Sequence, residues 1–148
     1  MDNTHYISSE ILDLEHINDI IVQNKTIALS EEAKVNIQKC RDYLDHKMQS
    51  HDEPIYGINT GFGSLYNIKI SRENLSKLQE NLMMSHACGT GPEVPGEVVK
   101  LMLLLKTQSL SYGNSGVQLA TVERLIDFYN HDILPVVYTQ GSLGASGD

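Results

Sequence analysis

The fold is decided by the stretch Pro95-Gly-Glu-Val-Val-Lys-Leu-Met-Leu-Leu-Leu-Lys-Thr-Gln-Ser-Leu-Ser-Tyr112. It predicts a long helix, because proline is favoured in the first turn of a helix and Gly113 follows the last apolar turn. The segment from Leu101 to Leu105 is apolar on most sides, so we expect this helix to be buried on several faces, with other subunits as one possible cover. A chain arranged around such a helix is mainly α.

Four more helices are predicted from apolar residues that recur every three or four positions. Three of them follow side chains that suit a helix N-cap, namely Asp13, Ser30 and Ser71. The helical segments are Leu14 to Val22; the stripe Ala33, Ile37, Cys40, Leu44 and Met48; the stripe Leu75, Leu78 and Leu82; and the stripe Val117, Val122, Leu125, Ile126 and Tyr129. His86 falls one turn beyond Leu82 on the same face.

Extended structure is expected as a minor component within about the first 70 residues. Short strands are predicted at Ile7, at Ile11-Leu12, from Lys25 to Leu29 and from Asn67 to Ile70. The glycine-rich segment 89–96 is expected to be a break between helices. Residues 133–137 are apolar but interrupted by a proline, and we expect them to form a buried connector.

Composition narrows the class of protein. The 148 residues, 41% of them hydrophobic, correspond to about one domain with a core. Nineteen acidic and eleven basic residues give a net charge of −8, which argues against a nucleic-acid partner. Two distant cysteines and six scattered histidines show no metal-ligand spacing, so no metal is expected. There is no signal peptide at the start and no apolar run long enough for a membrane, so we expect a cytoplasmic protein.

The chain ends on Gly141-Ser-Leu-Gly-Ala-Ser-Gly-Asp148. With no bulky side chain in the way, the Gly147 nitrogen could reach the carbonyl carbon of Ala145 and close a five-membered ring with loss of water. Loss of the Ser146 hydroxyl as a second water would leave an exocyclic methylidene carbon, which is an electrophile. Taken alone, however, Ala-Ser-Gly is a short motif, and a flexible glycine-rich loop is the simpler interpretation.

A second glycine-rich segment is Tyr56-Gly-Ile-Asn-Thr-Gly-Phe-Gly63. It lacks the lysine and the glycine spacing of a phosphate-binding loop, so phosphate binding is disfavoured. A structural loop and a ligand-binding loop both remain open from these residues. Tyr56 could act as a base only with help from nearby positive charge or hydrogen-bond donors, since the ordinary pKa of tyrosine is about 10.

Two further motifs complete a set of four in one order along the chain. They are Leu78-Gln-Glu-Asn-Leu-Met-Met-Ser-His-Ala-Cys-Gly89 and Ser109-Leu-Ser-Tyr-Gly-Asn-Ser-Gly116. Together with the segments at Tyr56 and Gly141, this combination resembles the amino-terminal part of the aromatic amino acid ammonia-lyases. The resemblance runs from about Ile55 to Asp148, some two thirds of the chain. It implies that residues 1–148 are a single amino-terminal region of a larger lyase with a long-helix bundle, ending in the ring-forming loop 141–148.

The resemblance also implies the roles of individual residues. Ala145, Ser146 and Gly147 would cyclise without another enzyme into the methylidene-imidazolone (MIO) prosthetic group, and Asp148 would assist ring formation. Tyr56 would be the catalytic base, and His86 would contact the substrate side chain. No external cofactor is expected.

The expected reaction is elimination of ammonia from an aromatic amino acid. Ser85-His86 is similar to the members that act on histidine and give urocanate, and Lys106-Thr107-Gln108 supports the same substrate. Tyrosine stays open as a substrate. In this family the active site is assembled from several subunits of a homotetramer, so we expect the remaining polypeptide and other subunits as partners and expect the 148 residues alone to be inactive. A non-catalytic helical interaction module is the alternative if the tail is unmodified.

Overall fold

The computed structural model describes residues 3–50, 53–61 and 66–141, without the side chain of Arg72. Its described helices are α1 (Leu14–Val22), α2 (Glu31–Ser50), α3 (Leu75–His86), α4 (Gly96–Ser111) and α5 (Leu119–Asn130). The described strands are β1 (Thr4–Ile7), β2 (Thr26–Leu29), β3 (Thr90–Glu93) and β4 (Tyr138–Gln140). The prediction of a mainly α protein is confirmed.

The chain forms two compact units. The first unit comprises Met1–Met48 and Val94–Val136, and the second comprises Gln49–Glu93 and Val137–Asp148. Each unit is therefore made of two separate stretches of the sequence.

The first unit contains the hydrophobic core. Strands β1 and β2 pair in parallel from Thr4 with Thr26 to Ile7 with Leu29, and α1 makes the crossover that parallel strands require. The side chain of Asn130 bonds β2, because its Oδ1 accepts from the Ile27 amide at 2.8 Å and its Nδ2 donates to the Ile27 carbonyl at 2.9 Å. The buried core residues are Ile7, Ile20, Ile27, Leu29, Ala33, Ile37, Leu103, Leu104, Leu110, Val122, Ile126 and Tyr129.

Helix α4 is buried along one broad side only. Val99, Leu103 and Leu104 are buried there, whereas Val98, Met102 and Leu105 are each more than 40% exposed within the described residues. A buried polar side chain of α4, that of Gln108, holds the segment after β1. Gln108 Nε2 donates to the carbonyls of Ser8 and Glu10 at 3.0 and 3.1 Å. Gln108 is thus committed to the packing of the first unit.

Lys100 of α4 bonds to the residues that follow the C-terminal ends of α1 and α5. Its Nζ donates to Asp132 Oδ1 at 2.6 Å and to Asn24 Oδ1 at 3.2 Å, and it lies 5.0 Å from the ring centre of Tyr129. Asn24 and Asp132 follow α1 and α5 in the left-handed conformation, with φ of 47° and 53°. A cation at two helix C-termini is favourable, because the carbonyl ends of helices carry partial negative charge.

Gly113, which follows α4, is expected to tolerate no side chain. Its φ is +69°, and a Cβ there would lie 2.6 Å from the Asn36 carbonyl oxygen, which is backbone and cannot rotate away. We expect Gly113→Ala to lower the free energy of unfolding by more than about 2 kcal/mol, the sum of left-handed strain and overpacking. The measurement is the midpoint of urea unfolding followed by circular dichroism.

Gly116→Ala is the matched control for that substitution. Gly116 has nearly the same φ of +68°, but the closest atom to its added Cβ is Leu44 Cδ2 at 2.7 Å, the end of a flexible side chain. The two residues therefore share the backbone strain and differ in whether the neighbour can move. Equal unfolding midpoints for the two variants would contradict the argument.

In the second unit, β3 and β4 pair antiparallel, with Thr90 opposite Gln140 and Glu93 opposite Tyr138. The side chain of Tyr138 packs closely against the backbone at Gly89. A Cβ at this position would lie only 3.1 Å from Tyr138 Cδ2, closer than ordinary van der Waals contact. Helix α3 is preceded by a 3-10 turn at Arg72–Asn74, and its leucines Leu75, Leu78 and Leu82 are half-buried.

Several sequence predictions of local structure were wrong. Ile11-Leu12 is not a strand, and the segment Asn67 to Ile70 contributes only a single bridge, between Lys69 and Thr60. Strands β3 and β4 lie beyond residue 70. β3 lies in the segment predicted as a break, and β4 lies between the predicted connector and the terminal loop, where no strand was predicted. Ser71 precedes the 3-10 turn, and α3 begins only after it.

The connector at residues 133–137 also differs from its prediction. Ile133 and Val136 are 54% and 63% exposed, so the predicted burial is wrong at these two described residues, whereas Leu134 is half-buried and packs against the core.

Candidate active site

Tyr56 lies in a turn whose shape is fixed by the asparagine and threonine that follow it. The side chain of Asn59 closes the turn: its Oδ1 accepts from the Ile55 amide at 2.6 Å, and its Nδ2 donates to the Glu53 carbonyl at 3.2 Å. Thr60 is fully buried and its Oγ1 accepts from the Gly57 amide at 3.3 Å. Gly57 has a φ of +69°, which glycine adopts without strain. The Asn-Thr pair therefore holds the backbone on either side of Tyr56.

The Tyr56 side chain is 59% exposed, whereas the turn beneath it is buried at Asn59 and Thr60. This combination of a fixed backbone and an accessible phenol suits a group that must meet a ligand. It favours the ligand-binding interpretation of the loop that the sequence left open. Phe62 and Gly63, the last residues of the motif, lie outside the described residues.

Helix α3 is joined to the Tyr56 turn by Gln79. Its Nε2 donates to the carbonyl oxygens of Gly57 and Ile58 at 3.3 and 3.2 Å. Gln79 and His86 are seven residues apart, so they lie on the same face of α3, about 10 Å apart along the helix axis. The structure thus attaches the tyrosine turn to the helix face that ends in His86.

Gln79 lies inside one of the four motifs but was not among the residues predicted to form the site. The available signal was its spacing of seven residues from His86, which places both side chains on one face of a helix. The bonding partner could not have been read from the sequence, because Gly57 and Ile58 offer backbone carbonyls, which every residue has.

His86 is the last residue of α3, and its side chain is exposed. Its Nδ1 lies 2.8 Å from the Leu82 carbonyl oxygen and 3.0 Å from Ser85 Oγ. Ser85 Oγ also donates to the Leu82 carbonyl at 3.0 Å. The imidazole is therefore oriented by its own helix end.

The start of the terminal loop lies beside the segment that follows His86. Strand β4 ends at Gln140, which is opposite Thr90, and Thr90 is only four residues after His86. Gly141 is the last described residue of the tail. Three of the four motif segments accordingly belong to the second unit, while the fourth, at residues 109–116, belongs to the first.

The proposed ring-forming residues Ala145, Ser146 and Gly147, and Asp148 beside them, lie outside the described residues. The residue types fit the MIO group chemically, since the ring needs a small residue, a serine that can lose its hydroxyl, and a glycine nitrogen. Among the described residues, no cluster of three His, Cys, Asp or Glu side chains could hold a metal ion. No helix in the described part of the chain is long and apolar enough to cross a membrane.

The class of protein follows from comparison with known families and structures. A family model described as aromatic amino acid lyase matches residues 12–148. The chain therefore belongs to the aromatic amino acid lyase family.

Individual relatives agree with that family. Histidine ammonia-lyase of Deinococcus radiodurans is 47% identical over 137 residues, which cover 93% of this chain and 26% of the relative. Ergothionase, an ergothioneine-degrading enzyme of Treponema denticola, has a TM-score of 0.88 at 26% identity, covering 95% of this chain and 28% of that one. Histidine ammonia-lyase of Trypanosoma cruzi has a TM-score of 0.79 at 29% identity, covering 95% and 27%. The chain thus spans about a quarter of the length of the relatives that it matches.

Proposed function

We propose that these residues are a single amino-terminal region of an enzyme that eliminates ammonia from L-histidine to give urocanate. The observation that carries the proposal is the attachment of the Tyr56 turn to α3 through Gln79, on the helix face that ends in His86. The relatives named above as histidine ammonia-lyases support histidine as the substrate, and so does the pair Ser85-His86.

Each residue has a defined task in the proposed reaction. Tyr56 takes a proton from the β-carbon of the substrate onto its phenolate oxygen, the electrons of that bond form the Cα–Cβ double bond, and the Cα–N bond breaks. His86 contacts the substrate side chain and so holds the β-carbon near Tyr56. The MIO group, formed from Ala145, Ser146 and Gly147 with assistance from Asp148, supplies an electrophilic carbon that makes the amine a better leaving group.

The proposed enzyme is assembled from more than these residues. The exposed apolar side of α4, formed by Val98, Met102 and Leu105, supports further polypeptide or other subunits as partners. The same exposed side favours one competing function, a helical interaction module without catalysis, in which the tail stays unmodified.

The decisive experiment is an assay of the product of the complete coding sequence. Incubation with L-histidine is expected to release ammonia and to produce the ultraviolet absorbance of a conjugated acid. Release of ammonia from L-tyrosine but not from L-histidine would mean that tyrosine is the substrate, with the type of reaction unchanged. No release from either amino acid, together with an unmodified tail by mass spectrometry, would favour the interaction module.

Gln79 provides a test of the geometry of the site. We expect Gln79→Met to lower kcat by about tenfold with a smaller change in KM, because the Tyr56 turn loses its two bonds to α3 and the phenol is less well placed. The rates are measured with saturating and limiting L-histidine.

Gln38→Met is the matched control for that substitution. Gln38 is also an exposed helical glutamine whose Nε2 donates one bond, to Asp42 Oδ1 at 2.7 Å, but it lies on α2. The control variant should keep both kinetic constants. An equal loss of kcat in the two variants would indicate a general effect of removing a surface amide.

A further inference from the structure

Strands β3 and β4 form a short antiparallel ribbon that contains a bulge. Between its two paired positions, β3 has two residues, Gly91 and Pro92, where β4 has only Thr139. Gly91 has a φ of +87°, which glycine adopts without strain. A bulge bends its strand, and bulges are frequent next to active sites. The bend therefore sets the path of the ribbon just before β4 leads into the tail.

The two strands approach each other closely at a second glycine. A Cβ on Gly89 would lie 3.1 Å from Cδ2 and 3.2 Å from Cβ of Tyr138, which is closer than ordinary van der Waals contact. The ring of Tyr138 could rotate away, but its Cβ is attached to the backbone and moves only with β4. A side chain at residue 89 would therefore displace β4 by a few tenths of an ångström.

The close packing of β4 ends where the tail begins. Gln140 is the last residue of β4, and its Oε1 lies 3.5 Å from Thr90 Oγ1 across the ribbon. At Gly141, the last described residue, a Cβ would meet no described atom within 4 Å. The ribbon thus fixes the chain up to Gln140, five residues before Ala145, the first residue of the proposed ring.

We propose that the ribbon positions the tail for ring closure, with Gly89 and Gly91 as positioning residues that set the path of β4. This inference rests on the proposed function. Ring closure joins the Gly147 nitrogen to the Ala145 carbonyl carbon, and that carbonyl oxygen leaves as water with the amide hydrogens of Gly147 and Ser146. A second water takes the hydroxyl and the Cα hydrogen of Ser146, so no oxidant is needed.

Ring closure depends on where the tail starts, because a glycine-rich segment has many conformations and few of them bring the reacting atoms together. Fixing one end of such a segment removes many unproductive conformations. Reacting groups that are misplaced by about 1 Å can lose about 100-fold in rate. We therefore expect a displacement of β4 by a few tenths of an ångström to slow ring closure measurably.

The test measures how fast the product of the complete coding sequence loses two waters after synthesis. The polypeptide is made in a cell-free system, and its intact mass is followed until it has fallen by about 36 Da. We expect Gly89→Ala to slow this loss by about three- to tenfold. The mass reports ring formation directly and does not depend on catalytic activity.

Moving the glycine from one strand to the other distinguishes position from stability. In the double variant Gly89→Ala/Tyr138→Gly, the glycine lies on β4 instead of β3, so the strands can approach as before. The rate of water loss should return to near that of Tyr138→Gly alone. If Gly89→Ala acted only by lowering stability, the two substitutions would add, and the double variant would be slower than either single variant.

Two further variants complete the test. Gly96→Ala is the control outside the ribbon, because its Cβ would lie 3.3 Å from Leu134 Cδ1, the end of a flexible side chain, and it should keep the unsubstituted rate. Gly91→Asn adds a Cβ 3.1 Å from Thr139 Oγ1 with a residue that tolerates a positive φ, and it should also slow the loss. Gly91→Asn decides the test if circular dichroism shows that Gly89→Ala does not fold.

The outcomes separate this inference from the proposed function. Loss of two waters at the unsubstituted rate in the folded ribbon variants would overturn the role of the ribbon and leave the proposed ammonia-lyase activity intact. A double variant that is slower than both single variants would overturn it as well. Absence of any mass loss in the unsubstituted protein would contradict the proposed function, and this inference with it.

Discussion

Replacing Ser146 by alanine is expected to lower kcat with L-histidine by on the order of 10³-fold or more, in the product of the complete coding sequence. Alanine has no hydroxyl to lose as the second water, so the exocyclic methylidene carbon cannot form. The amine of the substrate then remains a poor leaving group. The measurement is ammonia release at saturating L-histidine.

Ser142→Ala is the control for that prediction. Ser142 lies in the same glycine-rich tail, four residues earlier, but outside the ring-forming triplet. This variant should keep its activity. Intact mass gives an independent readout, because ring formation with loss of two waters lowers the mass by about 36 Da. The unsubstituted protein and Ser142→Ala should show that loss. Full activity of the Ser146→Ala variant would contradict the proposal that the tail forms an electrophile.

Tyr56→Phe is expected to lower kcat by about 10²- to 10⁴-fold, which is the usual contribution of a positioned base. Phenylalanine keeps the aromatic ring and removes only the oxygen that would accept the β-proton. We therefore expect a much smaller change in KM than in kcat. Steady-state kinetics with L-histidine measures both constants.

Tyr66→Phe provides the comparison for Tyr56→Phe. Tyr66 belongs to the same unit and has a similar exposure, 61% against 59% for Tyr56. Tyr66 lies outside the motif, so the Tyr66→Phe variant should keep its activity. Tyr56→Phe should also keep the full mass loss of the tail, because ring formation and proton removal are separate steps. If the Tyr56→Phe variant lacked the mass loss, Tyr56 would act in ring formation rather than on the substrate.

The helices were largely predictable because their signals are local. Asp13 caps α1 by accepting from the His16 amide at 2.8 Å, and Ser30 caps the start of α2 by accepting from the Ala33 amide at 3.1 Å. These bonds join residues three apart, so the sequence contains both partners within one turn. The long helix predicted around Leu101 to Leu105 likewise ends just before Gly113.

The pairing of β3 with β4 could not be predicted in the same way. The strands are short, and Thr90 and Gln140 are separated by fifty residues, so neither segment shows which other segment completes its hydrogen bonds. The predicted burial of Ile133 and Val136 was wrong for a related reason. Apolar residues indicate a preference for burial, but burial needs a neighbour that only the folded chain provides.

By itself, the sequence determined the helices, the order of the four motifs, and the residue types that could make an electrophile and a base. These are properties of the covalent chain and of residues within a few positions of one another. Only the tertiary structure decided that Gln79 bonds the carbonyl oxygens of Gly57 and Ile58 in the Tyr56 turn, and that β3 pairs with β4. Both depend on backbone groups, which are alike at every residue, so the choice of partner depends on which groups folding brings within reach of one another.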